Sequence, residues 1–115
     1  MARVVAVFDD LLLGSNVLGM LTAAGHSATL SGGAEFEVGD ASVLVVDLGA
    51  SSFDGVDLVT ALHERGALAG VRTIGVYSHV DVDTRRRAEA AGFDLVVPRS
   101  RMAREGADLV ERLDS

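Results

Sequence analysis

The chain has 115 residues, 49% of them hydrophobic, with a single proline and no cysteine. That length and apolar content predict one globular domain over 1–115 with a single core, and the missing cysteine excludes disulfides, thiolate metal sites and a cysteine nucleophile. A net charge of -7 argues against nucleic-acid binding, which needs a dense basic surface.

Five strand-like runs alternate with helical patterns. The first strand, Arg3–Phe8, follows Met1-Ala2 directly, with no secretory pattern, and no apolar stretch approaches membrane-spanning length. A cytoplasmic protein with no membrane contact is therefore expected. Asp9-Asp10 closes this strand. A helical stripe of Val17, Leu18, Leu21 and Ala24 stops at Gly25. The second strand is Ser27–Leu30. Residues 32–40 then leave room for only one or two helical turns before the third strand, Val43–Asp47.

Leu58, Val59 and Leu62 form the next stripe, which stops near Gly66, and the fourth strand is Arg72–Tyr77. Ala88 and Ala91 face inward on a helix that stops at Gly92, followed by a fifth strand at Leu95–Val97. The last helix runs from about Ala103 to Leu113, with Leu109, Val110 and Leu113 inward. Continuous Val/Ile/Leu runs mark strands buried on both faces. Alternation with helices implies right-handed crossovers and a parallel sheet. The chain is thus α/β and doubly wound. In such a fold, Asp47 and Asp9-Asp10 lie at strand ends on the rim where ligands bind. Together they would make a cation site and offer a carboxylate nucleophile.

The order and spacing of these pieces resemble the receiver domain of bacterial two-component response regulators over essentially the whole chain. The matching segments are Val5-Ala6-Val7-Phe8-Asp9-Asp10, Val43-Leu44-Val45-Val46-Asp47-Leu48, Asp54-Gly55 and Ala90-Ala91-Gly92-Phe93-Asp94. The resemblance implies a flavodoxin-like sheet of strand order 2-1-3-4-5, here with a shortened second helix. It implies that Asp47 is the phosphoacceptor. It also implies a magnesium ion held by Asp47, one of the pair Asp9 and Asp10, and the backbone carbonyl of Gly49, since this cation prefers hard oxygen ligands.

The rest of the family's site departs from that pattern. Tyr77 stands where receivers carry a threonine or serine; its phenol is longer than that hydroxyl and would fill space the phosphoryl group needs. Ser78, one residue on, points to the opposite face of a strand. Val96 replaces an aromatic residue. Arg99 falls at the lysine position, where a planar fork replaces a compact ammonium. A one-residue slip would instead put Val97 there and remove the charge. Ala50-Ser51 stands where many receivers have Met-Pro.

These departures point to an atypical, stand-alone receiver, a pseudo-receiver that acts as a protein-binding module with impaired phosphotransfer. The alternative is a magnesium-dependent phosphoacceptor in a phosphorelay, with Asp47 phosphorylated by a histidine kinase. A cofactor-binding flavodoxin-like protein is disfavoured because no glycine-rich loop follows the first strand. An independent enzyme is not expected, since no nucleophile–base pair stands out beyond the acids. The partners expected are signalling proteins, a histidine kinase or a downstream effector.

Leu11-Leu12-Leu13 is either the buried start of the first helix or an exposed patch suited to docking or homodimerisation. Arg85-Arg86-Arg87 reads as a solvated helix face, and that helix with the last one corresponds to the family's interaction face. His79 is a candidate ligand or pH sensor beside the site. His26 and His63 read as surface residues at helix ends, and no histidine pair has zinc-ligand spacing.

Overall fold

The computed structural model describes residues 1–33, 35–78 and 81–114; His79 lies outside them. Strands β1 (Arg3–Val7), β2 (Ser27–Ser31), β3 (Val43–Asp47), β4 (Arg72–Tyr77) and β5 (Leu95–Pro98) form one parallel sheet in the order β2-β1-β3-β4-β5. Four helices connect them: α1 (Leu11–Ala23), α2 (Gly55–Glu64), α3 (Val82–Ala90) and α4 (Arg99–Asp114). The flavodoxin-like topology expected from the sequence is the one observed.

Side-chain alternation along the strands builds two apolar layers. Val4, Ala6, Val43, Val45, Ile74, Val76 and Val97 pack with Val17 and Leu21 of α1 and Met102, Leu109 and Val110 of α4. On the opposite face Val7, Leu44, Val46 and Tyr77 pack with Val56, Val59 and Leu62 of α2 and Ala88 of α3. All five residues of β3 are buried, as a central parallel strand requires. Ala24, placed on the inward stripe by the sequence, is exposed and forms the C-cap of α1.

Three features refine the sequence reading. The shortened crossover between β2 and β3 contains no helix among the described residues. Phe36 and Val38 pack directly onto the second layer instead. An open groove of about 490 Å³ remains beside them, lined by Arg3, Val5, Thr29, Val38 and Asp40. Second, α4 begins at Arg99, four residues before the expected Ala103, because Met102 already belongs to the buried face of the helix. Third, His26 is buried rather than superficial, with 6% of its surface exposed. Its Nδ1 accepts the Ala2 N–H at 3.0 Å, which leaves Nε2 as the donor to the Ala107 carbonyl at 3.3 Å.

His26 therefore ties the start of β1 to α4. Replacing it with alanine leaves the buried Ala2 N–H without its partner, and thermal or urea unfolding should show a loss of about 1–3 kcal/mol.

Candidate functional site at the carboxyl rim

The strand order reverses between β1 and β3, and open α/β sheets bind ligands in the crevice outside such a switch point. Asp9 follows β1 and Asp47 ends β3, so both stand at that crevice. Gly55 lets α2 start close against the end of β3: a Cβ there would meet Val46 Cγ1 at 2.8 Å and the Asp47 carbonyl at 3.1 Å. The turn before α2 is closed by Asp54. Its carboxylate caps the helix through the N–H groups of Val56 and Asp57 and accepts from Arg87 Nη2 at 3.2 Å.

The Asp47 side chain is fully buried. Its Oδ1 accepts the Gly49 N–H at 2.9 Å, and Arg99 Nη2 lies 3.4 Å from each carboxylate oxygen. Arg99 thus takes the position next to Asp47 that the ungapped register assigns it, whereas Val97 is buried in the layer under α4. Burial pushes the Asp47 carboxyl above the usual carboxylate range. The Gly49 N–H and the Arg99 charge oppose that rise, and the nearby Asp9 charge adds to it. Arg99 Nε is buried and has no hydrogen-bond partner among the described residues, so the guanidinium is only partly satisfied.

Asp9 and Asp10 face other partners. Asp9 Oδ2 accepts from Ser51 N and Ser52 N, each at 2.9 Å, and from Ser51 Oγ at 3.2 Å. These donors, the backbone N–H of Ser52 foremost, hold its carboxyl below the ordinary value. Asp10 is the N-cap of α1, accepting Leu13 N–H at 3.1 Å. The cluster of Asp9, Asp10 and Asp47 expected from the sequence is not assembled. Among the described residues no three His, Cys, Asp or Glu side chains are grouped to hold a metal ion. A magnesium ion there would compete with these partners, because each carboxylate already accepts N–H or O–H donors and Asp47 also faces a guanidinium.

Tyr77 is separated from Asp47 by the sheet. Asp47 has the strand parity of Val43 and Val45, which face α1 and α4, whereas Tyr77 packs in the opposite layer with Leu48, Ala88 and Phe93. The phenol that would crowd the phosphoryl position is buried in that layer, and Val96 packs against the same cluster. The Arg85-Arg86-Arg87 run divides: Arg85 pairs with Glu89 along α3 at 3.7 Å, and Arg87 bridges to Asp54 and Asp57 of the α2 start. Leu11-Leu12-Leu13 combines both readings. It opens α1, yet Leu11 and Leu12 are 67% and 75% exposed while Leu13 packs on the core. His63 is exposed. Sequence reasoning missed Ser51 and Ser52 as partners of Asp9, because loop hydroxyls and amides carry no pattern until the loop is folded.

Solved structures place this fold. The chain superposes on the receiver domain of the Francisella response regulator 1452 with a TM-score of 0.86 at 15% identity, covering 99% of this chain and 97% of that one. A response regulator receiver domain protein from Clostridium thermocellum gives 0.85 at 13% identity over 99% and 94% of the two chains. A CheY-like receiver domain protein from Methanospirillum hungatei gives 0.80 at 18% identity over 99% and 94%. No family model matches the sequence. No curated protein matches it. The fold is that of response regulator receiver domains.

An acid whose carboxyl is raised in the fold binds its proton more tightly there than in the unfolded chain. Asp47 therefore lowers stability as pH climbs from the ordinary carboxylate value through the raised one. Asp47→Asn removes that loss. Its stability relative to the parent chain should therefore rise as pH climbs through that window. Urea unfolding at several pH values measures the difference.

Proposed function

We propose that this chain is a receiver-fold signalling module that acts in the cytoplasm by binding another signalling protein, with phosphotransfer at Asp47 impaired. The observation that carries this reading is the state of Asp47: it is wholly buried and held by Gly49 N–H and Arg99. Tyr77, expected from the sequence at the hydroxyl position, is buried on the opposite face of the sheet, so it is Ser78, not Tyr77, that has the parity of the Asp47 side. In-line attack on a phosphoryl donor needs an accessible carboxylate with its charge neutralised by a positioned cation, and the access is not provided. No enzymatic activity of its own is part of this reading.

Protein contact is favoured by what the rim exposes. Among the described residues the exposed large hydrophobic side chains are Met1, Leu11, Leu12 and Val82. Leu11, Leu12 and Val82 lie in the first turns of α1 and α3, the turns that leave the carboxyl end of the sheet. Leu11 and Leu12 are neighbouring exposed apolar side chains at this rim, a surface that a bound partner would cover. A histidine kinase or a downstream effector is the class of partner this reading implies.

The alternative, a working phosphoacceptor, draws on one observation: a permanent positive charge does stand beside Asp47. Incubation with acetyl phosphate and magnesium, followed by intact-mass measurement, separates the two. The proposal expects an unmodified chain. Stoichiometric gain of one phosphoryl group, lost in Asp47→Asn, establishes the alternative. Leu12→Glu should change stability by no more than about 0.5 kcal/mol, because the side chain is exposed. In a binding titration with the cognate signalling partner it should weaken affinity about tenfold.

A further inference from the structure

We infer that Arg99 is a built-in cation that takes the place a divalent metal would have beside Asp47, and that Gly49 is the space that admits it. The inference goes beyond the proposed function, since a protein-binding module could keep or lose a metal site. It begins from the disagreement between the acidic residues present and the partners they have taken.

Arg99 Nη2 stands 3.4 Å from both oxygens of Asp47, so a positive charge already lies equidistant from the two carboxylate oxygens. The guanidinium reaches that place by passing over Gly49. A Cβ built on Gly49 would lie 3.0 Å from Arg99 Nη2 and 3.5 Å from Asp47 Oδ1, tighter to the guanidinium than ordinary carbon contacts. No positive φ requires glycine at this position, so the demand at 49 is for room rather than for backbone freedom.

The other two carboxylates are drawn away in the same sense. Asp9 spends one oxygen on three donors of Ser51 and Ser52, which fastens the loop after β3 over the end of β1. Asp10 faces its own helix as the cap of α1. A magnesium ion needs several oxygens converging at about 2.0–2.1 Å. An ion held beside Asp47 would place a second cation against a guanidinium. Like-charge repulsion at such a distance in a half-buried site weakens the ion's binding directly. The contact is made by one guanidinium nitrogen, Nη2, which lies equally far from both carboxylate oxygens.

The test follows the metal itself, with manganese as a paramagnetic stand-in for magnesium and the amide signals of Asp9, Asp47 and Gly49 as reporters. In the parent chain these amides should stay sharp at manganese concentrations that broaden them in Arg99→Ala. Removing the guanidinium should tighten binding about tenfold or more. Arg99→Gln, which keeps most of the side-chain volume, should do the same and covers the case in which the alanine variant does not fold. Arg99→Ala combined with Asp47→Ala should lose the effect.

Equal broadening in parent and variant overturns the inference. So does sharp signal in both, because Arg99 would then not be what keeps metal out. Failure here is distinguishable from failure of the proposed function. A parent chain that binds manganese but takes no phosphoryl group sinks only the built-in cation, and one that is phosphorylated yet binds no manganese sinks only the impaired-phosphotransfer reading.

Discussion

A carboxylate with no exposed surface at the end of a central strand sets the terms for the rest of the rim. Moving an ionised Asp47 out of water is costly unless a charge and hydrogen-bond donors replace the solvent. Gly49 N–H supplies one donor, and Arg99 supplies the charge. Because Arg99 is the first residue of α4, the pair also ties the first turn of that helix to the end of β3. The arrangement is balanced rather than strongly favourable. The contacts to Nη2 are long, and Arg99 Nε has no partner among the described residues.

Around that pair the remaining acids have become structural. Asp9 latches the loop at Ser51 and Ser52, Asp10 caps α1, and Asp54 caps α2 while receiving Arg87 from α3. Each use satisfies N–H groups that helix starts and loops leave open. A carboxylate committed this way is less available to a cation. The acidic composition that resembles a metal site is here a set of caps and latches around one internal ion pair. With Tyr77 buried in the opposite layer, the rim is held by these caps and latches.

The fold was legible because its signals are local and periodic. Apolar runs of strand length, glycine stops after helical stripes and the alternation of the two are set by residues near one another in sequence, and they gave five strands at nearly their observed bounds. The start of α4 was less legible because Arg99, Ser100 and Arg101 show no apolar stripe; only the packing of Met102 reveals that the helix has begun. His26 was misread for a related reason. A single histidine after a helix end looks superficial until the start of β1 and α4 close over it from 24 and 81 residues away.

The sequence by itself determined the parallel sheet, the position of Asp47 at a strand end and the presence of an arginine rather than a lysine further along the chain. Those follow from period, spacing and side-chain identity, while the strand order was implied by the family resemblance. Only the tertiary structure decided what each acid faces. Asp9, Asp10 and Asp47 are chemically alike, and whether they converge on a cation or turn to serines, a helix end and a guanidinium depends on donors brought from other loops. Those donors span separations of up to 52 residues, and no local pattern records a contact that exists only after the sheet has closed.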